Sequence, residues 1–177
     1  MPSVALGVDI RLWEQNLIIP SDASMVEAKF VEAIEIIAKR LGAERIQWAL
    51  VGSTNLALQG MDITPHDLDV VLTFKDLDRI PALFPEYSPT IVTKLEPIVN
   101  DAWDVKMNIG GVDIQIFAEN DSGVYVSKLL ANKLTILKIK TFDIPCFTLE
   151  ADSQAYVETK CQEKADRIKE FLENRRS

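Results

Sequence analysis

The sequence has 177 residues, 47% of them hydrophobic and 26% charged, and its formal net charge at pH 7 is −8. This composition is typical of a folded globular protein rather than a disordered one, and the length suits one domain with a sizeable core. The acidic balance argues against a protein that follows a nucleic-acid backbone, because that role requires clustered lysine and arginine.

The residue counts exclude a zinc site built on several histidines. The chain contains one histidine and two cysteines, and Cys146 and Cys161 have neither the spacing of metal ligands nor that of a disulfide framework. Residues 1–15 lack the basic segment and apolar core of a secretory signal, and no apolar run reaches the roughly 20 residues of a membrane span. We therefore expect a cytoplasmic protein, with no role assigned to residues 1–23.

Helical and strand patterns alternate through the first half of the chain. A capping-box pattern, Ser24-Met-Val-Glu27, precedes apolar residues at helical spacing, and the predicted helix ends at Gly42. A buried strand is predicted over 45–51, followed by a short helix and then a second strand over 67–74. Another short helix, broken near Pro81, is predicted over 75–84, while residues 86–101 show no clear pattern.

The second half begins with a strong hairpin signal. Two alternating segments within 102–119 flank Gly110-Gly111, and a short helix and one or two strands are expected before residue 150. A single helix is predicted over 150–174, with an apolar stripe of Val157, Cys161, Ala165, Ile168 and Leu172. The whole chain is thus predicted to be one α/β domain with a core over 24–149, in which helices flank a mixed sheet of about five strands.

Gly52-Ser53 lies between the first predicted strand and a helix. The start of a helix presents unpaired N–H groups that suit phosphate, and glycine lets the backbone approach a ligand closely. The alternative is a simple strand-to-helix turn in which Ser53 caps the helix.

Asp67 and Asp69 interrupt an otherwise apolar strand. They are two residues apart, so on a strand they point to the same face. Two shielded carboxylates repel each other unless a cation lies between them, and Mg²⁺ is commonly held by one or two carboxylates together with substrate phosphates. The alternative is that both carboxylates lie in water at the end of the strand.

A third acid, Asp113, interrupts an apolar strand directly after the Gly110-Gly111 turn. If this strand neighbours that of Asp67 and Asp69, three carboxylates converge beside Gly52-Ser53. Such a set is typical of two-metal phosphoryl or nucleotidyl transfer, with the third carboxylate as a metal ligand or a base.

The order of these motifs resembles the nucleotidyltransferase superfamily typified by DNA polymerase β, particularly its small stand-alone and antibiotic-modifying members. Gly52-Ser53 is followed by 13 residues, then Asp67-Leu-Asp69 and later Asp113. The resemblance implies a Mg²⁺- or Mn²⁺-dependent enzyme that transfers a nucleoside monophosphate from an NTP, with ATP expected, to a hydroxyl of a small molecule or protein. Pyrophosphate would be released, and Asp67, Asp69 and Asp113 would be both the metal ligands and the catalytic residues.

Three further residues are candidates for nucleotide binding. His66 directly precedes Asp67 and could contact a phosphate or the acceptor, or could simply bond a carbonyl group. Lys160 and Lys164 are one helical turn apart and could reach a triphosphate, or could belong to a solvated helix face. The rival function is a non-catalytic nucleotide-binding or interaction module, such as the antitoxin partner of a toxin, and a protein partner or a homodimer is compatible with the sequence.

Overall fold

The computed structural model describes residues 26–95, 101–120 and 125–176. Its centre is a seven-stranded mixed sheet in the order β3-β4-β5-β2-β1-β7-β6. The strands are β1 (Trp48–Val51), β2 (Asp67–Leu72), β3 (Thr93–Lys94), β4 (Ala102–Ile109), β5 (Val112–Glu119), β6 (Leu134–Ile139) and β7 (Phe142–Phe147). The predicted mixed α/β architecture is confirmed, although the sheet has seven strands rather than about five.

Helices accompany the sheet along the described part of the chain: α1 (Ala28–Ala43), α2 (Gly52–Leu58), α3 (Phe74–Leu77), α4 (Ile80–Leu83), α5 (Tyr125–Asn132), α6 (Leu149–Glu158) and α7 (Gln162–Arg176). None of the helices in the described ranges is long and apolar enough to cross a membrane.

Three neighbouring strands form the middle of the sheet. β2 lies between β1, to which it is antiparallel, and β5, to which it is parallel. β1 in turn runs parallel to β7. The β1–α2–β2 unit therefore returns the chain beside its own starting strand, and the hairpin of β4 and β5 adds to the other side of β2.

The two faces of the sheet bury different clusters. α1 buries one apolar stripe, Phe30, Ala33, Ile34, Ile37 and Leu41, in the larger cluster, which also contains Leu68 and Ile114. The opposite face carries a smaller cluster in which Val51 and Val71 pack with residues of α5 and α6. Since side chains alternate along a strand, this second face also carries Asp67, Asp69 and Asp113.

The Gly110-Gly111 hairpin is confirmed, since β4 and β5 pair in register around it. Of the one or two strands expected after residue 133, the structure has two, β6 and β7. The helix predicted over 75–84 is broken, but the break lies before Ile80 and not at Pro81, which is in the first turn of α4; the segment forms two short helices, α3 and α4. A capping box would place Glu27 within the first turn of α1, but the helix begins after Glu27, and Ser24 lies outside the described residues.

The single helix predicted over 150–174 is wrong. The chain forms α6 and α7, separated by a turn in which Lys160 has a φ of 59°. This break removes two members of the predicted stripe from the core, because Val157 is 41% exposed and Cys161 is exposed as well. Ala165 and Ile168 are buried, as the pattern predicted. Leu172 is partly buried and packs against the apolar cluster that contains Ile168.

Candidate active site

The three predicted carboxylates lie on one face of two neighbouring strands. Asp67 pairs in register with Asp113 across the parallel ladder of β2 and β5, and Asp69 follows two residues later along β2. Strands in a sheet are about 4.8 Å apart, so the topology itself places these acids side by side. Asp67 and Asp113 are exposed, whereas Asp69 is half-buried.

The carboxyl group of Asp69 has a strongly raised pKa. Burial, followed by the negative charge of Asp67, raises its pKa to about 7, and the nearby Lys164 ammonium acts in the opposite direction. A half-buried carboxyl beside a second acid is a group that a divalent cation would stabilise in its charged form.

Gly52 lies directly against Asp69. The register pairs Val51 with Asp69, and Gly52 is the next residue along the chain. It has a φ of 73°, and a Cβ atom added there would lie 2.6 Å from Asp69 Oδ2. Glycine is required here for two reasons: it adopts this backbone conformation readily, and it has no side chain to collide with Asp69.

The N–H of Gly52 is already engaged. It donates to Asp152 Oδ1 at 3.3 Å, so Gly52 contributes space at this turn rather than a free amide for phosphate. Ser53 does not cap α2, because the N-cap position is Val51. The Ser53 hydroxyl instead donates to Asp67 Oδ1 at 3.4 Å, and Thr54 Oγ1 donates to the Asp67 carbonyl oxygen at 2.6 Å.

The carboxylate oxygens at this site could provide some of the ligands that a hard cation needs. Asp67 and Asp69 provide carboxylate oxygens on one rigid strand, and Mg²⁺ usually completes its shell with water and substrate phosphates. Asp113 accepts a hydrogen bond from Asn108 Nδ2 at 2.8 Å. Within the described ranges, no three histidine, cysteine, aspartate or glutamate side chains are already arranged to hold a metal ion.

The three residues predicted to bind nucleotide lie on different elements around this centre. Lys164, in the first turn of α7, has its Nζ 5.1 Å from the centre of the Tyr156 ring, and its charge acts on Asp69. Lys160 is not on the same helix as predicted; it lies in the turn between α6 and α7 with an exposed side chain. His66 is exposed just before β2 begins.

Sequence reasoning missed two residues of α6. Asp152 is only 2% exposed, and burial raises its pKa to about 7 against the opposing effect of its hydrogen bonds from Asn55 and Gly52. Tyr156 packs beside it, and burial together with the charges of Asp152 and Asp69 raises the pKa of its phenol. The available signal was their spacing, since Asp152 and Tyr156 follow Leu149 by three and seven residues on one helical stripe.

Solved structures share this fold. A provisionally assigned nucleotidyltransferase from Thermotoga maritima has a TM-score of 0.66 and 22% identity, and the match covers 85% of this chain and 96% of that one. ANT(2")-Ia in complex with adenylyl-2"-tobramycin has a TM-score of 0.55 and 14% identity, with 81% and 89% of the two chains covered. No protein among the curated sequences matches significantly.

A family comparison extends the likeness beyond the fold. The sequence profile of aminoglycoside-2''-adenylyltransferase matches residues 33–170, a range that contains β1, α2, β2, the hairpin of β4 and β5, α6 and the first part of α7. The nucleotidyltransferase resemblance indicated by Gly52-Ser53, Asp67-Leu-Asp69 and Asp113 is confirmed at the level of the family. The chain belongs to the aminoglycoside-2''-adenylyltransferase family of nucleotidyltransferases.

Proposed function

We propose that the protein transfers a nucleoside monophosphate from an NTP to a hydroxyl group of a small molecule, with a divalent cation and with release of pyrophosphate. The observation that carries this proposal is the in-register pairing of Asp67 with Asp113, on the face where Asp69 meets Gly52. ATP is the expected donor because the family's name specifies adenylyl transfer. A small-molecule acceptor is favoured because the related ANT(2")-Ia was solved with adenylyl-2"-tobramycin.

Each residue has a proposed role. Asp67 and Asp69 would hold Mg²⁺ or Mn²⁺, which when bound neutralises phosphate charge and favours deprotonation of the attacking hydroxyl. Ser53 lies at the start of α2, beside Asp67 and only partly buried, where its backbone N–H group would suit a phosphate oxygen, while the buried Thr54 fixes the Asp67 backbone. Lys164 would contribute a positive point charge. The hydroxyl oxygen attacks the α-phosphorus, the bond to the β-phosphate's bridging oxygen breaks, and pyrophosphate leaves.

Asp113 is the proposed proton acceptor. Its carboxylate is exposed, and it accepts a hydrogen bond from Asn108 Nδ2. The proton of the acceptor hydroxyl would pass to this carboxylate as the new bond to phosphorus forms.

Turnover with a set of acceptors tests the proposal. The purified protein is incubated with Mg²⁺ and each NTP, with and without aminoglycosides or other amino-sugar polyols, and pyrophosphate is measured. We expect acceptor-dependent pyrophosphate release that chelator abolishes. Asp67→Asn should remove it, while Asp62→Asn, in the exposed loop before β2, serves as the matched control. Binding of MgATP without turnover for any acceptor would favour the rival function of a non-catalytic nucleotide-binding module.

A further inference from the structure

Asp152 is a buried acid that no step of the proposed reaction uses. Its side chain is on α6, outside the three motifs, and carboxylates are almost never buried to this extent without partners. Oδ1 accepts the Gly52 backbone N–H at 3.3 Å, and Oδ2 accepts Asn55 Nδ2 at 2.6 Å. Both donors belong to the first two turns of α2, so Asp152 holds the start of that helix from outside it.

The polar network around Asp152 ties α2 to the end of β7. Asn55 Nδ2 also donates to the Phe147 carbonyl oxygen at 2.9 Å. Gln59 Nε2 donates to the same carbonyl at 2.8 Å and to Asn55 Oδ1 at 2.8 Å. Because Asn55 and Gln59 are both buried, each of these bonds lies in a shielded environment where a lost partner is costly.

The network ends at Gly52, which lies against the acidic centre. Gly52 is held between two carboxylates: Asp152 accepts its N–H, and Asp69 occupies the space where a side chain would be. Ser53, the next residue, contacts Asp67. A shift of the 51–53 backbone therefore changes the positions of both acids proposed to hold the metal.

We propose that Asp152 is a positioning residue for nucleotidyl transfer, which fixes the Gly52-Ser53 turn against Asp69 and Asp67 without itself touching substrate. This inference rests on the proposed function, because the turn matters for catalysis only if nucleotide binds beside it. A purely structural Asp152 would stabilise the fold and leave the affinity of the folded protein for nucleotide unchanged.

Ser153 provides a matched control for Asp152. It is the adjacent residue on α6, it is also buried, and its hydroxyl donates to the Ala165 carbonyl oxygen at 3.3 Å in α7. Ser153→Ala thus removes a buried hydrogen bond from the same helix without removing any contact to α2. Asp152→Asn is the conservative variant, since its amide oxygen can accept one of the two bonds that Asp152→Ala loses.

The test measures MgATP affinity by calorimetry and hydrogen–deuterium exchange of residues 51–56, both corrected for the folded fraction from urea melts. We expect Asp152→Ala to weaken MgATP binding about tenfold or more, as loss of a buried bond to a charged group would. Exchange over 51–56 should accelerate, and Asp152→Asn should fall between this variant and the parent. Ser153→Ala should match the parent in both measurements.

Failure of the inference can be told from failure of the proposed function. A parent protein that does not bind MgATP overturns the proposed function, and this inference with it. A parent that binds, with Asp152→Ala or Asp152→Asn folded and equal to it in MgATP affinity, overturns only the positioning role, whatever the exchange over 51–56 shows. If Asp152→Ala does not fold, Asp152→Asn alone decides by the same criteria.

Discussion

Gly52→Ala probes the contact between the turn and Asp69 most directly. The new methyl group would lie 2.6 Å from Asp69 Oδ2, on a backbone whose φ is 73°. A non-glycine residue in this conformation costs about 1–2 kcal/mol, and a side chain forced into occupied space adds about 1–3 kcal/mol. We therefore expect Gly52→Ala to lower the free energy of unfolding by about 2–5 kcal/mol, a large share of the roughly 5–15 kcal/mol of an ordinary domain.

Two further variants separate the free-energy cost of the positive φ from the cost of the contact with Asp69. Gly60 has a φ of 95°, and a Cβ added there would approach only Phe171 Cζ, at 4.0 Å, so Gly60→Ala reports conformational strain alone. Asp69→Ala removes the oxygen with which the new methyl group at position 52 would collide and leaves its own Cβ at 3.4 Å. In that background, Gly52→Ala should cost no more than Gly60→Ala, which gives a coupling energy of about 1–3 kcal/mol in the double-mutant cycle.

The assay is urea denaturation in chelator at pH 8, so that no cation contributes to stability. A cost of Gly52→Ala that is equal with and without the Asp69 carboxylate would refute the packing argument. The glycine would then be required only for its backbone conformation, and the two motifs would be energetically independent.

Three more outcomes are expected. Asp113→Asn should leave the free energy of unfolding within about 1 kcal/mol, because Asp113 is exposed, and should retain MgATP binding while abolishing transfer; normal turnover would remove it from the site. Lys164→Met should weaken MgATP binding and raise the pKa of Asp69, whereas Lys169→Met, exposed on the same helix, should do neither in titrations of both variants. The metal-free parent should lose stability as pH rises from about 4 to 7, because the folded-state pKa values of Asp152 and Asp69, each about 7, lie above the unfolded value of about 3.9. Asp152→Asn should reduce that slope in urea melts without abolishing it, and an equal slope in both proteins would contradict the assignment to Asp152.

Local patterns in the sequence were sufficient for the elements that carry the motifs. Apolar runs predicted β1 and β2, and Gly110-Gly111 predicted the hairpin of β4 and β5. The number of strands was underestimated because β3 has two residues and β6 and β7 share one apolar stretch. The C-terminal break was missed because residues 150–174 keep a helical period across a turn that is set by the backbone of Lys160.

Helical spacing could place Asp152 on the apolar stripe of Leu149, but local pattern could not reveal its role, because its partners are about a hundred residues away in the chain. An aspartate in the first turn of a helix is ordinarily explained by the helix dipole and by solvent. Its burial depends on β7 lying next to β1, which places α6 beside α2. That adjacency is a property of the strand order, and no local pattern in the sequence indicates that β7 pairs with β1.

The pairing of Val51 with Asp69 explains why two common motifs occur together in this chain. Each of Gly-Ser and Asp-x-Asp is unspecific alone, yet the antiparallel register places the first residue after β1 over the second aspartate of β2. Asp69 can be half-buried there because Gly52 has no side chain, and the absence of a side chain at position 52 is required only while Asp69 fills that space. The two motifs are therefore one packing unit, and a chain that replaces Asp69 by a smaller residue should tolerate a small side chain at position 52 with only the cost of its positive φ.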